Sequence, residues 1–120
     1  MFMPINLIQY PNCTTCKKAK AWLLNHNIPF TERHIVESTP SAEEIKSFWK
    51  LSGLPLKKFF NTSGKKYREL ELKDRLKDMS EEDQLALLAS DGMLLKRPIV
   101  TDGQKITLGF KEEDFENTWK

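Results

Sequence analysis

Both cysteines of the chain lie in one short stretch, Tyr10-Pro11-Asn12-Cys13-Thr14-Thr15-Cys16-Lys17-Lys18-Ala19. An apolar run, Ile5-Asn6-Leu7-Ile8-Gln9-Tyr10, leads into it, and apolar Ala19, Trp22 and Leu23 follow at helical spacing. The stretch therefore marks a strand-to-helix junction, and a Cys-x-x-Cys at such a junction is the layout of a thiol redox site. The unpaired N–H groups and the dipole of a helix N-terminus stabilise an anion, so a thiol placed there ionises more readily. Cys13 falls at the cap. Cys16 falls one turn on, inside the helix and within disulfide reach of Cys13. Lys17 and Lys18 add positive charge. The spacing predicts Cys13 as the attacking thiol and Cys16 as the resolving one.

Two other uses of the cysteines compete with this one. A structural zinc takes four Cys or His ligands. The chain could offer only Cys13, Cys16, His26 and His34, and its histidines lack finger spacing, so no metal is expected. Inert buried thiols are the second alternative. They suit Cys13 poorly, because Pro11, Asn12 and two threonines flank it rather than apolar residues.

Composition bounds the rest. A chain of 120 residues is one domain with room for a core. A net charge of +2 gives no argument for direct nucleic-acid binding. No apolar run approaches a membrane span, so no membrane is expected. The start, Met1-Phe2-Met3-Pro4, has no basic region and no cleavage pattern, so no signal peptide is expected either. Two cysteines in one close motif then point to the reducing cytoplasm, where a disulfide is transient and functional. A monomer is expected.

In chain order, Ile5 to Tyr10 reads as a strand buried on both faces. A helix from Thr14 to His26 carries Cys16, Ala19, Leu23 and His26 on one stripe. Asn27 suits a left-handed cap, Pro29 stops continuation, and Phe30 to Val36 reads as a second strand, giving a parallel β-α-β unit. His26 sits where the helix dipole favours a cation, and His34, in the charged run Glu32-Arg33-His34, reads as a partly exposed edge residue; neither is assigned chemistry.

A capping box from Ser41 to Glu44 opens the next helix, and Gly53 ends it. Pro55 starts a short helix through Phe60, Asn61 to Gly64 is a loop, and Tyr67 to Leu76 reads as one helix. Ser80 caps another, ended by Asp91-Gly92. Phe48, Trp49, Phe59, Phe60 and Tyr67 are expected to form the core of this segment. Lys96 to Thr101 is a third strand, Asp102-Gly103 reads as a two-residue hairpin turn, and Gln104 to Leu108 returns. A helix from Lys111 to Trp119 closes the chain. The order predicts an α/β fold of thioredoxin-like topology: a core of residues 1–40 and 93–120, with a helical insert at 41–92.

Within that topology the chain resembles the arsenate reductase (ArsC) and Spx family over nearly its whole length. The carriers are Pro11 to Ala19, then Asn61-Thr62-Ser63-Gly64-Lys65-Lys66-Tyr67-Arg68, then Leu94-Leu95-Lys96-Arg97-Pro98-Ile99-Val100-Thr101. The resemblance implies that Cys13 is the nucleophile and that Cys16 is the second cysteine of a redox switch. It implies that Arg97 faces the active site and that Pro98 lies against the cysteines, with a cis bond plausible there. Asn12, Thr14, Thr15, Lys17, Arg97 and Pro98 become the expected substrate-binding residues. Asn61 and Phe110 stand where the reductases have arginines, Lys17 replaces another, and Arg68 is a candidate substitute. The implied activity is a thiol-disulfide oxidoreductase on a small thiol or oxyanion, or on a redox protein, with glutathione or thioredoxin as reductant and no bound cofactor. The alternative it implies is an Spx-like redox-sensing regulator that binds the α subunit of RNA polymerase. Around Gly53-Leu54-Pro55, where Spx members make that contact, this sequence differs.

Overall fold

The run Ile5-Asn6-Leu7-Ile8-Gln9 forms strand β1 (Ile5–Gln9). Leu7 and Ile8 point to opposite faces and both are fully buried, as a central strand requires. This is seen in a computed structural model, which describes residues 4–120; the signal-peptide reading of Met1 to Met3 lies outside the described residues. Helix α1 (Thr14–Asn25) joins β1 to strand β2 (Phe30–His34), which pairs with β1 in parallel, Ile5 opposite Phe30 and Gln9 opposite His34. Asn27, at φ 56°, takes the left-handed conformation that turns the chain out of the helix.

Strand β3 (Ile99–Thr101) lies antiparallel on the other side of β1, with Leu7 opposite Val100. Strand β4 (Ile106–Leu108) pairs antiparallel with β3, giving the order β2-β1-β3-β4. This is the α/β, thioredoxin-like arrangement that the sequence predicts. The loop between β3 and β4 is a correction. Thr101 pairs with Ile106, so residues 102–105 form the turn rather than Asp102-Gly103 alone. The Asp102 carboxylate accepts from the N–H groups of Gln104 and Lys105, and Thr101 Oγ1 donates to the Lys105 carbonyl. These side chains reinforce the backbone pair closing the turn, in which the Asp102 N–H donates to the Lys105 carbonyl at 3.4 Å.

The chain divides into two compact units, one made of the residues up to His34 and from Arg97 onward, the other of Ile35–Lys96. The first holds the sheet, α1 and helix α6 (Glu112–Trp119). Its core gathers Leu7, Ala19, Trp22, Leu23, Val100 and Phe115. Phe115 meets Trp22 and Phe110 edge-on, at centroid distances of 5.3 and 4.8 Å. Burying a side chain of that size contributes about 1.5–3 kcal/mol. His26 ends α1 by stacking on Trp22 at 4.1 Å, with Nε2 3.8 Å from the Glu116 carboxylate. His34 lies half-buried on the edge strand β2.

The second unit is helical. Helix α2 (Ala42–Ser52) begins at the expected box: Ser41 Oγ accepts from the Glu44 N–H, and Glu44 Oε1 accepts from the Ser41 N–H, both at 3.1 Å. A 3-10 turn (Leu56–Phe59) follows. The helix expected from Tyr67 to Leu76 is broken into α3 (Lys65–Glu69) and α4 (Leu72–Arg75) by Glu71, whose φ of 54° is left-handed, and a 3-10 turn (Leu76–Asp78) continues α4. Helix α5 (Glu81–Ser90) is capped by Ser80. Phe59, Phe60 and Tyr67 are buried with Ile45, Leu72 and Leu88. Phe48 and Trp49 are only half-buried, at the margin of the core rather than in it.

Candidate functional site

The turn after β1 delivers the first cysteine. The Cys13 N–H donates to the Tyr10 carbonyl at 3.0 Å, and the Cys13 carbonyl accepts from the Lys17 N–H at 3.0 Å, which starts α1. Cys13 is the N-cap, in extended conformation at φ −88° and ψ 121°. Caps are usually Ser, Thr, Asp or Asn, because an oxygen there takes a helix N–H. Here Cys13 Sγ takes that place and accepts from the Cys16 N–H at 3.4 Å. A thiolate would complete the cap better than a thiol, since it adds a negative charge at the positive end of the helix.

The two sulfurs sit in unlike surroundings. Both are free thiols, Cys13 half-buried and Cys16 fully buried. Partial burial works to raise the Cys13 pKa. The hydrogen bonds to Cys16 and the nearby Arg97 guanidinium outweigh it, so Cys13 lies below its ordinary value. Burial dominates at Cys16, and the adjacent Cys13 adds to it, so that thiol is pushed up to about 12. A neutral Cys16 can donate to an ionised Cys13, and that donation favours the charge on Cys13 and opposes one on Cys16.

Arg97 and Pro98 lie just before β3, which starts at Ile99 rather than at the expected Lys96. The antiparallel register pairs Ile8 with Ile99, so the residues before Ile99 run alongside the end of β1 where Tyr10 and the cysteine turn begin. The Arg97–Pro98 bond is cis, and Pro98 is buried. The Arg97 guanidinium lies over the Tyr10 ring, 5.4 Å from its centroid, and Tyr10 meets His34 edge-on at 5.7 Å. A cation held against an aromatic face loses freedom and gains electrostatic attraction. Tyr10 thus forms a platform for the arginine that acts on Cys13, a role the sequence did not assign to it. The only signal was an aromatic residue immediately before Pro11-Asn12-Cys13.

The remaining expected site residues make weaker connections. Asn12, Thr14 and Lys17 are exposed and Thr15 is half-buried. Among the described residues none of their side chains hydrogen-bonds a sulfur. Phe110 belongs to the aromatic core of its own unit, against Phe115. Asn61 and Arg68 belong to the other unit, Asn61 in the turn before α3 and Arg68 within it. Among the described residues no three His, Cys, Asp or Glu side chains are grouped to hold a metal. Among them, too, no helix is long and apolar enough to cross a membrane.

Known proteins with this pattern are close at hand. The model of the ArsC family matches residues 8–118. The chain is similar to the uncharacterized protein YusI of Bacillus subtilis (strain 168), 59% identical over 98% of this chain and 99% of that one. It is similar to the global transcriptional regulator Spx of Staphylococcus haemolyticus, 33% identical over 92% of this chain and 82% of that one. Among solved structures it resembles one from Bacteroides fragilis, described with reservation as an ArsC family related protein. The TM-score there is 0.92 at 50% identity, over 98% of each chain. It also resembles an arsenate reductase from Vibrio cholerae, with a TM-score of 0.86 at 25% identity over 98% of each chain.

Proposed function

The chain belongs to the ArsC family of thioredoxin-like proteins, and on that premise we propose that it is a thiol-disulfide oxidoreductase with Cys13 as nucleophile and Cys16 as resolving thiol. The observation that supports this most is the split between the two thiols, one held low at a helix cap and the other buried and held high. The Cys13 thiolate attacks one sulfur of a substrate disulfide. A mixed disulfide forms and the second substrate sulfur leaves as a thiolate. Cys16 then attacks Cys13 Sγ, its proton passing to the departing thiolate. The Cys13–Cys16 disulfide closes and the second substrate thiol is released. Two protein thiols are oxidised and one disulfide is reduced. Cytoplasmic glutathione or thioredoxin would return the pair to dithiol.

In this scheme Arg97 favours the thiolate and steadies an anionic substrate group above it, and Tyr10 holds Arg97 in place. Asn12, Thr14, Thr15, Lys17 and Pro98 frame the face on which the substrate approaches. Arsenate needs several charged donors around one centre. With Phe110 packed against the core and Asn61 uncharged, Arg97 is the arginine this unit places at the sulfur, which favours a disulfide over arsenate as substrate. The test is turnover of glutathione disulfides and of arsenate by wild type and Cys13→Ser. Disulfide turnover lost in the variant is the expected result. Arsenate turnover alone, or turnover that survives in Cys13→Ser, would overturn the assignment.

A second reading has one observation in its favour. Leu51 and Leu54, near Gly53, are 38% and 42% exposed, and a relative 33% identical to this chain is named a global transcriptional regulator. On that reading the cysteine pair senses oxidant and the protein docks on the RNA polymerase α subunit. Pull-down of that subunit by the oxidised but not the reduced protein would favour it.

A further inference from the structure

Within the unit Ile35–Lys96 lies a cleft of about 480 Å³ whose lining includes Lys57, Lys58, Lys73 and Lys96 together with Phe60 and Tyr67. A second hollow of about 270 Å³ shares Lys57, Tyr67 and Lys73 and adds Lys77. Among the described residues no carboxylate lines either one. Among the described residues none of these five lysines forms an ion pair, whereas Lys65 and Lys66 of the same unit pair with Glu69 and Asp91. The unit as a whole is neutral, with eleven basic and eleven acidic residues. Five of its eleven basic residues line these two adjoining hollows. The ammonium groups come from the 3-10 turn Leu56–Phe59, from α4, from the turn after α4 and from the segment before Arg97. Like charges converging on one hollow repel each other unless an anion occupies it.

We propose that this cleft binds a small ligand bearing a chain of phosphates, of the nucleoside di- or triphosphate class. The lysines are compact point charges that suit phosphate oxygens spread along a chain, and no arginine fork is present to select a single planar carboxylate. The cleft volume falls within the range of about 300–1,000 Å³ typical of small-ligand sites and is too large for one phosphate. Phe60 and Tyr67 supply an apolar edge for the part of the ligand that carries no charge. Tyr67 has a further feature: among the described residues its hydroxyl has no hydrogen-bond partner, which leaves it available to a ligand.

The test is calorimetric titration of the full reduced chain with magnesium-free ATP, with AMP and with inorganic tripolyphosphate, at low salt. Wild type is compared with Lys57→Gln, Lys73→Gln and the off-site control Lys65→Gln, with folding checked by circular dichroism. ATP should bind more tightly than AMP, and affinity should fall about tenfold in each cleft variant and stay unchanged in the control. ATP binding more tightly than tripolyphosphate would assign the ligand to the nucleotides; equal binding would assign recognition to the phosphate chain alone. No binding at millimolar ATP and tripolyphosphate overturns the proposal. So does equal weakening by Lys65→Gln, which would mean diffuse charge. So would a single-stranded oligonucleotide that binds more than tenfold tighter than either ligand and is lost in the cleft variants, since the occupant would then be a nucleic-acid backbone.

Discussion

The two units of this chain are held by different devices. The unit that carries the cysteines is built on a buried central strand and one aromatic cluster, in which side chains at strand and helix spacing do the packing. The unit between Ile35 and Lys96 adds to its own buried core of Ile45, Phe59, Phe60, Leu72 and Leu88 a set of capped helix ends and backbone brought against backbone. Asn61 N–H donates to the Leu94 carbonyl at 2.8 Å and Lys96 N–H to the Phe59 carbonyl at 2.7 Å, beside the isolated bridge between Phe60 and Leu95. Gly92 sits so close to Ile35 that an added Cβ would lie 2.1 Å from its carbonyl oxygen. The difference teaches that the second unit, besides the core it shares in kind with the first, has a point at Gly92 where the gain of a single methyl is as damaging as a loss.

That contrast can be broken by experiment. Phe115→Ala should cost the most, about 3–5 kcal/mol in urea unfolding, because it empties the space between Trp22 and Phe110. A cost below about 1 kcal/mol would mean the aromatic cluster is not what holds that unit. Gly92→Ala, a gain of one methyl, should cost about 3 kcal/mol, since a backbone carbonyl cannot move aside as a flexible side chain can. A neutral Gly92→Ala would remove the basis of the comparison. Ser41→Ala should cost about 1 kcal/mol by opening the capping box of α2. Hydrogen exchange should show that loss first in the N–H group of Glu44.

The two units also differed in how much of them could be read from the sequence. Strand alternation and helix periodicity lay in the order of residues around Ile5 to Leu23 and Phe115 to Trp119, and the sheet topology followed from them. Glu71 was illegible: glutamate has no preference for a left-handed conformation, so no residue type marks the break between α3 and α4. The Asp102 turn was misjudged because Asp-Gly is compatible with several turn lengths. Its length is decided by the Asp102 carboxylate and the Thr101 hydroxyl. At the site, the cap position of Cys13 followed from spacing. The stacking of Arg97 on Tyr10 did not, because 86 residues of intervening chain carry no local trace of a contact made through strand register.

The unlike thiols are the centre of the account, and alkylation resolved by residue and by pH tests them most directly. The reduced protein is labelled with iodoacetamide from pH 5 to pH 10, and each cysteine is quantified by mass spectrometry. Cys13 ionises below its ordinary value, so its labelling should rise with pH and reach half its plateau at a lower pH than that of a free cysteine measured alongside. Cys16, pushed up to about 12, should stay unlabelled across the whole range until the protein is unfolded. Arg97→Ala removes a charge that favours the Cys13 thiolate, so the Cys13 curve should move to higher pH and labelling at pH 7 should slow. Labelling of Cys16 ahead of Cys13, or a Cys13 curve that Arg97→Ala leaves in place, would contradict the account.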